Sequence, residues 1–410
     1  MKLQRRVVVT GLGLVSPLGN DVSSSWDACT KGISGISTFD NTINNSPVSI
    51  GGRIKDLDLS LYLDSKDTRR LDTFIQYGVV AASQAITDSG FLNYSTDLTR
   101  AGVNFGSGIG GIETIEKNHK VYLEKGYKKV SPFMVPGSII NMISGHISIK
   151  FGLRGSNVST VTACSSGNHC IGSAARSIAY GESDVMVAGG SEMASTPLAI
   201  SGFIAARALS TSNNPITASR PWDIDRDGFV LSDGAGAIIL EDLEHAKKRK
   251  ANIYAEIIGF GMSSDAFHMT APPEDGQGAA LSMTNAINDA EININDVDYI
   301  NAHGTSTPLG DLAEATAMKS IFKDKVPAIS STKSMTGHTL GAAGAIESIF
   351  SILTIKNNTI PPTINLDNQD PRCQLDFTPH IARESEVNIA MNNSFGFGGT
   401  NSTLIFKKYI

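Results

Sequence analysis

One cysteine stands where the sequence could place a reactive group. Cys164 lies in Val161-Thr-Ala-Cys-Ser-Ser-Gly167, where a strand-like stretch leads into small residues and an alanine-rich helix. A cysteine at a helix start faces the positive end of the helix dipole, which favours the thiolate. Small neighbours leave room for a bulky acyl group and for backbone N–H groups around an oxyanion. The pattern predicts a nucleophile, with a buried structural cysteine as the alternative.

Two histidines lie in segments of similar design. His303 follows a short apolar run in Asn301-Ala-His-Gly-Thr-Ser-Thr-Pro-Leu-Gly-Asp311, and His338 follows another in Ser330-Ser-Thr-Lys-Ser-Met-Thr-Gly-His338. Functional groups of layered α/β proteins commonly lie where strands end. Either histidine alone could be a core imidazole. Together with the cysteine they predict a Cys-His-His site at one edge of a layered sheet.

Residues around these three predict supporting roles. Thr305 and Thr307 offer hydroxyls beside His303, and Asp311 is expected to begin a helix. Glu347 is expected to face inward on the helix that follows His338. A further run is rich in phenylalanine and glycine and predicts a gate over an apolar tunnel: NNSFGFGGTN, with Phe395 and Phe397.

Other sites are not predicted. The candidate ligands are far apart in sequence and no CxxC or HxxxH motif occurs, which argues against a metal. The run Gly106-Ser-Gly-Ile-Gly-Gly111 resembles a phosphate-binding loop but lacks its Lys-Ser/Thr. The remaining cysteines are expected to be structural. They are Cys29, Cys170 and Cys373.

Short β-branched runs alternate with longer helical patterns, which predicts α/β layers with helices on the sheet faces. The predicted strands are Arg6–Thr10, Val158–Thr162, Asp184–Ala188, Gly236–Leu240, Ile253–Gly259, Tyr299–Asn301, Ala328–Ser330 and Thr403–Phe406. The predicted helices are Ser23–Lys31, Thr73–Ser89, Ser138–Lys150, Gly167–Tyr180, Leu243–Lys250, Gly278–Ala290, Asp311–Ile321 and Gly341–Lys356. A strand, a small-residue loop and a helix recur in residues 1–251 and 252–410, which predicts two similar halves.

Composition excludes several classes of protein. The 410 residues include 40 glycines and 18% charged residues, with a net charge of −6, which excludes a disordered, collagenous or polybasic nucleic-acid-binding protein. Four cysteines are too few for a disulfide scaffold. No apolar run approaches the roughly 18 residues that span a bilayer. The start, MKLQRRVVVTGLGLVSPLG, only faintly resembles a signal peptide because polar residues and glycines interrupt it. A cytoplasmic location is expected, without membrane or nucleic-acid partners.

Four motifs carry a family resemblance. VTACSSG, NAHGTSTPLGD, STKSMTGH and NSFGFGGTN occur in the order found in β-ketoacyl-acyl-carrier-protein synthases, condensing enzymes with the thiolase fold. The resemblance covers nearly the whole chain and is strongest to the long-chain type, synthase II. Synthase III uses Cys-His-Asn, and thiolases use a second cysteine. Synthase I, a polyketide-type ketosynthase or chain-length subunit, and a thiol hydrolase or acyltransferase are the alternatives.

The resemblance implies a five-layered αβαβα fold of two similar halves, a homodimer and no cofactor beyond a possible monovalent cation near Glu347. It implies that Cys164 carries the acyl chain and that His303 and His338 assist decarboxylation of a malonyl group. Lys333 and Glu347 would set local electrostatics, and Asp311 would support the site. The N–H groups of Cys164 and Phe397 would form the oxyanion hole, with Phe397 and neighbouring Phe395 as the gate.

The resemblance also implies binding surfaces. The acyl and pantetheine channel would include Ile109, Phe203, Thr305, Thr307, His268 and Thr270, with Asp265 among the channel loops. The implied partner is an acidic acyl carrier protein, loaded with an acyl or a malonyl group. Basic residues that match docking regions are Lys66, Arg69, Arg70, Lys125, Lys128, Lys129 and Arg207. An ordinary solvated surface is the alternative interpretation of these charges.

Overall fold

The computed structural model describes residues 5–39 and 46–410, so the first four residues of the signal-like segment lie outside it. Ten strands in the described ranges are hydrogen-bonded side by side in the order β10-β9-β13-β14-β8-β1-β7-β6-β4-β5. These strands are β1 (Val7–Val15), β4 (Ala101–Gly106), β5 (Asn157–Val158), β6 (Val185–Glu192), β7 (Gly234–Asp242), β8 (Ala255–Ser264), β9 (Tyr299–Asn301), β10 (Ala328–Ser330), β13 (Ile389–Gly396) and β14 (Thr400–Lys407). Two short ladders pair β2 (Ser37–Thr38) with β3 (Ile50–Gly51), and β11 (Thr359–Ile360) with β12 (Arg383–Glu384).

The α-helices lie between these strands. They are α1 (Val22–Thr30), α2 (Asp67–Arg70), α3 (Thr73–Ser89), α4 (Ile112–Lys125), α5 (Met134–Ser138), α6 (Met142–Phe151), α7 (Ser166–Ala179), α8 (Pro197–Ala205), α9 (Leu243–Lys248), α10 (Gln277–Asp289), α11 (Pro308–Phe322), α12 (Lys333–Thr336) and α13 (Ala343–Asn357). No helix in the described ranges is long and apolar enough to cross a bilayer.

The strand order divides into two halves of the same topology. The first half runs β1-β7-β6-β4-β5 and the second runs β8-β14-β13-β9-β10. If the strands of each half are numbered along the chain, both halves arrange them side by side as first, fifth, fourth, second and third. In both halves the first three strands are antiparallel and the last three are parallel. The halves meet where β1 pairs with β8 through three residues. This repeat supports the predicted duplication, while the predicted boundary at 251/252 stays a prediction.

The halves fold into five layers. Helix α3 covers the outer face of β1 and β7, and α10 covers β8 and β14. Helices α7 and α13 pack against each other between the two half-sheets. The largest buried cluster lies there and includes Ile171, Ile346, Phe350 and Phe406. The predicted αβαβα architecture is confirmed.

Small residues allow close contact between layers. A Cβ on Gly13 of β1 would lie 1.9 Å from the Ala81 carbonyl oxygen of α3. A Cβ on Gly167 of α7 would lie 2.7 Å from the backbone nitrogen of Ala345 in α13. Real Cβ atoms do not approach backbone this closely, so glycine is required at both crossings.

The sequence missed or misplaced several elements. Strands β4 and β13 and helices α4 and α8 were not predicted. The predicted strand Val158–Thr162 is wrong beyond Val158, since the Ser144 hydroxyl of α6 donates to the Val158 carbonyl at 2.7 Å. The predicted helix Ser138–Lys150 begins four residues too early, since Ser138 ends α5, Ile139 is extended and α6 begins at Met142. Helix α11 begins at Pro308, so Asp311 lies in its first turn.

Candidate active site

The nucleophile lies in a strained turn. Cys164 is the centre of a 3-10 turn, Ala163–Ser165, directly before α7, and Ala163 has φ of 50°, which non-glycine residues seldom adopt. The Ser166 hydroxyl accepts the Thr162 N–H at 2.9 Å and donates to the Ala163 carbonyl at 2.7 Å. These bonds hold the strained turn in place. The Cys164 side chain is directed into a cavity, as the sequence predicts.

Two imidazoles lie beside the sulfur. His338 Nε2 is 3.1 Å from Cys164 Sγ. The His303 and His338 rings are 5.3 Å apart and nearly perpendicular. The cysteine sulfur and one nitrogen of each histidine lie within 4.8 Å of one another, so the predicted Cys-His-His group comes together. The Phe229 ring meets the His338 ring edge-on at 5.2 Å and limits its rotation.

The His338 backbone is also fixed. Its N–H donates to the Val230 carbonyl at 2.8 Å, and its carbonyl accepts from the Ser232 N–H at 3.0 Å. The preceding Gly337 has φ of 66°, and a Cβ there would lie 2.0 Å from the Ser232 hydroxyl. The histidine of the second half is therefore held by the end of the first-half segment that leads into β7.

A buried ion pair lies behind the histidines. Lys333 Nζ contacts the Glu347 carboxylate, and both side chains are at most 2% exposed. The Lys333 charge lowers the pKa of His303, His338 and Cys164, although burial is the largest influence on all three. Burial raises the pKa of Glu347 to about 7 against the lowering effect of Lys333. Lys333 thus acts on the three reacting groups through its charge, and Glu347 is its buried partner.

Burial keeps the reacting groups neutral. It raises the pKa of Cys164 to about 12, although Lys333 and the N–H groups of Phe397 and Cys164 act in the opposite direction. It lowers the pKa of His303 and His338 well below the usual value. Burial thus opposes the thiolate that the sequence predicts at this helix start, and the thiolate stays a prediction.

The phenylalanine-glycine segment is the hairpin between β13 and β14. Gly398 and Gly399 have φ of 87° and 69°, which only glycine adopts at low cost. The Ser394 hydroxyl donates to the Cys164 carbonyl at 2.9 Å. The Ser165 hydroxyl lies 2.8 Å from both the Ser394 and Thr400 carbonyls. The hairpin is therefore bonded directly to the nucleophile turn.

Two backbone donors act on the sulfur. Hydrogen bonding by the N–H groups of Phe397 and Cys164 lowers the pKa of the Cys164 thiol. Such a pair can stabilise an oxyanion that develops on a carbonyl attached to that sulfur. The Phe397 side chain is 38% exposed, whereas the Phe395 ring lies 5.7 Å from the His303 ring.

One cavity joins most of the predicted residues. It has a volume of about 700 Å³, within the usual range for ligand pockets. Its lining includes the predicted residues Cys164, His303, His338, Phe395, Phe397, Ile109, Phe203, Thr305, Thr307, His268, Thr270, Asp265 and Arg207. The Thr305 and Thr307 hydroxyls lie 2.9 Å apart.

The other predicted residues lie outside the cavity lining. Asp311 is fully buried and accepts the N–H groups of Ser306 and Trp222 at 3.1 and 2.9 Å. It therefore braces the loop that carries Thr305 and Thr307. The remaining basic residues are exposed and stand on or beside α2 and α4: Lys66, Arg69, Arg70, Lys125, Lys128 and Lys129.

Sequence reasoning missed two buried glutamates. Glu314 lines the cavity and accepts the N–H groups of His303 and Gly304 at 2.9 and 2.8 Å. Burial raises its pKa to about 7. Its place three residues after Asp311 in a helix of small residues was the available signal. Glu192 ends β6 and is fully buried, and only its position after an apolar strand marked it.

The Cys-His-His group also has the composition of a metal site. Thiolate and imidazole suit zinc, and the three ligand atoms are close enough to share one ion. The Lys333 charge lowers the pKa of all three groups, so it opposes a second cation at the same place. The absence of a metal stays a prediction.

Comparison with known proteins gives matches over the whole chain. The family described as "Beta-ketoacyl synthase, N-terminal domain" matches residues 4–246, and "Beta-ketoacyl synthase, C-terminal domain" matches residues 254–367. The 3-oxoacyl-[acyl-carrier-protein] synthase 2 of Coxiella burnetii is 56% identical, covering 99% of both chains. The synthase 2 of Staphylococcus aureus is 47% identical and covers 100% of both chains.

Solved structures of two ketosynthases are similar to this chain in fold and in sequence. A β-ketoacyl synthase from Burkholderia phymatum superposes with a TM-score of 0.93 at 36% identity, covering 99% of this chain and 100% of its own. A type II polyketide ketosynthase bound to a hexaketide, in complex with its acyl-carrier protein, has a TM-score of 0.92 at 33% identity. It covers 99% of this chain and 100% of its own.

Proposed function

The chain belongs to the β-ketoacyl synthase family, and we propose that it acts as a 3-oxoacyl-[acyl-carrier-protein] synthase of the second type, a condensing enzyme of fatty-acid elongation. The 47–56% identity to synthases 2 over nearly the full chain supports this activity. The observation that carries the mechanism is the contact of His338 Nε2 with Cys164 Sγ, beside His303 in one cavity.

In the first half-reaction Cys164 takes the acyl chain. Its sulfur attacks the thioester carbonyl of the acyl carrier protein, the bond from that carbonyl to the carrier sulfur breaks, and the carrier thiol leaves. The cysteine proton passes to the leaving sulfur. The N–H groups of Cys164 and Phe397 stabilise the tetrahedral oxyanion, because both already act on the sulfur. The product is an acyl thioester on Cys164.

In the second half-reaction a malonyl carrier protein enters. Its carbon–carboxylate bond breaks, carbon dioxide leaves, and the electron pair forms an enolate. Neutral imidazoles of His303 and His338 donate N–H bonds to the enolate oxygen without adding a full charge. The enolate carbon then attacks the Cys164 thioester, the carbon–sulfur bond breaks, and the Cys164 thiolate that leaves takes up a proton from solvent. A 3-oxoacyl chain two carbons longer leaves on the carrier.

Acylation of Cys164 is the direct test. Wild-type protein incubated with a carrier protein that bears an acyl group should gain the mass of that group. Malonyl-loaded carrier protein added next should remove the group as 3-oxoacyl product. Cys164→Ala should show neither event, whereas the matched variant Cys373→Ala should show both. An unmodified wild-type chain, or free fatty acid as the product, would contradict the proposal.

The proposed partner is the acyl carrier protein. Arg70 stacks over Phe133 at 4.6 Å, so α2 adjoins the α5 region, and α5 packs on α4. The basic residues on and beside α2 and those at and after the end of α4 therefore lie on neighbouring elements. Arg207 is exposed and lines the cavity that holds Cys164. These charges suit an acidic carrier whose pantetheine arm enters the cavity.

We further propose a homodimer and a cytoplasmic location. Strand β5 is an edge strand that pairs with β4 alone among the described strands, and Val158 and Val161 are 50% and 51% exposed. Two such edges can pair around a two-fold axis, which removes both from solvent. The four cysteines are unpaired, as expected in a reducing compartment.

A monovalent cation near Glu347 is the last proposal. Buried oxygen atoms without hydrogen-bond partners in the described chain include Glu347 Oε2, Asn301 Oδ1, Asn392 Oδ1 and Ser402 Oγ. Asn301 and Asn392 are register partners on β9 and β13, and Asn392 donates to the Ser348 hydroxyl of the Glu347 helix at 2.9 Å. Oxygen atoms so placed suit a hard cation. A rise in melting temperature with K⁺ that Glu347→Gln abolishes would support the site.

A further inference from the structure

An internal carboxylate occupies the glycine-rich turn after β4. Glu192 Oε2 accepts the Gly108 N–H at 2.7 Å, and Oε1 accepts the N–H groups of Ile109 and Gly110 at 3.1 and 3.2 Å. The Ser107 hydroxyl also donates to Oε1, at 2.7 Å. No Lys, Arg or His nitrogen of the described chain lies within 4.0 Å of this carboxylate. Backbone N–H groups and one hydroxyl therefore surround a fully buried acid.

This arrangement explains the phosphate-loop-like sequence. Successive N–H groups of a glycine-rich turn form an anion-binding concavity. Here the anion is the chain's own Glu192 rather than a nucleotide phosphate. A Cβ on Gly108 would lie 2.7 Å from Glu192 Oε2, and Gly110 has φ of 80°. Glycine is thus required for the carboxylate to fit.

The same carboxylate reaches the second half of the protein. Glu192 Oε2 also accepts the Gly341 N–H at 3.0 Å, and Gly341 follows His338 by three residues. A Cβ on Gly341 would lie 2.2 Å from the Gly108 nitrogen, so the two turns touch. Gly108, Ile109 and Leu340 all line the cavity that holds Cys164. Glu192 therefore joins two turns that form adjacent parts of one cavity wall.

We propose that Glu192 is a positioning residue that sets the acyl-chain length accepted at Cys164, because it fixes the Ile109 turn against the Gly341 turn. This inference rests on the proposed function. A short acyl group needs only the space next to Cys164, whereas a long chain needs the wall beyond it to stay in place. Loss of the carboxylate would release the Ile109 turn, and long primers would lose more than short ones.

The test is Glu192→Gln, since an amide NH₂ would meet N–H donors in place of an acceptor oxygen. Acylation and condensation are measured with butanoyl and tetradecanoyl carrier proteins. We expect the tetradecanoyl-to-butanoyl ratio of kcat/KM to fall at least 10-fold, mainly through a raised KM for tetradecanoyl carrier. Glu241→Gln is the matched control, because Glu241 is as buried as Glu192 but distant from the turn. It lies on the adjacent strand β7, seven residues beyond Gly234, the residue that pairs with Glu192. This variant should leave the ratio unchanged.

Ser107→Ala is the second variant and keeps the test valid if Glu192→Gln does not fold. It removes one donor to Glu192 and one acceptor for the Gly110 N–H at 3.1 Å. We therefore expect the tetradecanoyl-to-butanoyl ratio of kcat/KM to fall less, by about 3-fold. Folded variants that slow both primers equally would overturn the positioning role. Failure of the proposed function would look different, because wild-type protein would then gain no acyl group from either primer.

Discussion

At the scale of the residue, burial decides the charge state of the site. It raises the pKa of Cys164 and lowers those of His303 and His338, so the unloaded site holds a thiol and two neutral imidazoles. Neutral imidazoles can donate to an enolate oxygen, and a neutral site lets an apolar acyl chain enter without facing isolated charges. Behind the site lie the Lys333–Glu347 pair and Glu314, all buried.

The reactivity of Cys164 should follow this raised pKa. With the pKa at about 12, the thiolate fraction and the rate of alkylation by iodoacetamide should rise about 10-fold per pH unit from pH 7 to 10. Peptide mass spectrometry at Cys164 would measure the rate, with glutathione as the control that levels off near its ordinary pKa. A plateau for Cys164 below pH 8 would instead indicate a thiolate–imidazolium pair.

His303 should matter more for decarboxylation than for acylation. It lies beside His338, but it is His338 that contacts Cys164 Sγ at 3.1 Å. His303→Ala should slow carbon dioxide release from malonyl carrier protein by about 10²–10³-fold, the usual effect of losing one oxyanion donor. Acyl transfer to Cys164 should stay within a few-fold of wild type. Equal losses in both half-reactions would contradict this division, and His119→Ala, on the exposed face of α4, is the control.

At the scale of the element, the site depends on two central helices that cross at glycines. The nucleophile turn begins α7, and the loop after His338 leads into α13. A Cβ on Gly344 of α13 would lie 2.6 Å from Asn168 Oδ1 and 2.8 Å from the Asn168 nitrogen of α7. Their close packing therefore brings the cysteine of one half to the histidines of the other.

Gly344→Ala should push α7 and α13 apart. Overpacking of this kind costs about 1–3 kcal/mol of unfolding free energy, and acylation of Cys164 should fall as well. The matched variant is Gly202→Ala in α8, where a new Cβ meets nothing within 4 Å and where alanine should stabilise the helix by up to about 1 kcal/mol. Denaturant unfolding of both variants measures the difference. Equal stability of the two variants would show that the crossing tolerates a methyl group.

At the scale of the whole molecule, one half supplies the nucleophile and the other supplies both histidines. Each half ends in an outer parallel strand, β5 or β10, but β5 is the edge with exposed valines at and just beyond it. We propose that a second copy pairs along this β5 edge. Most of the basic residues proposed for carrier docking lie on or beside α2 and α4, although the net charge is −6.

The double variant Val158→Asp with Val161→Asp should give monomers. Charges at a paired edge repel each other across the two-fold axis, so light scattering after size exclusion should show half the wild-type mass. Ile381→Asp, at another exposed position of 78%, is the control and should keep the wild-type mass. A wild-type protein that is already monomeric would contradict the proposed dimer.

Charge reversal of Lys128 and Lys129 to glutamate should weaken carrier-protein use. We expect KM for acyl carrier protein to rise about 10-fold at low salt, with a weaker dependence on salt than in wild type. Lys247→Glu with Lys248→Glu, exposed on α9, changes the net charge equally and should leave KM within about 2-fold. Unchanged kinetics in the first variant would remove these lysines from the interface.

Local sequence patterns predict the reactive residues and the repeated architecture. Cys164, His303 and His338 stand in local patterns whose strand, small-residue loop and helix can be recognised along the chain. Strand β13 was missed because its buried Asn392, Asn393 and Ser394 interrupt the apolar pattern of a core strand. Their partners lie far away in the chain: Asn392 Nδ2, for example, donates to Asn168 Oδ1, 224 residues away.

The residues that support the site could be identified only in the folded structure. Glu192 and Glu314 are ordinary acids in the sequence, and each gains its role by accepting backbone N–H groups of a turn. For Glu192 that turn lies more than 80 residues earlier in the chain. Backbone donors are identical in every residue except proline, so composition and spacing carry no record of where they converge. Folding alone brings the two halves together, and burial then sets the charge of the groups that meet there.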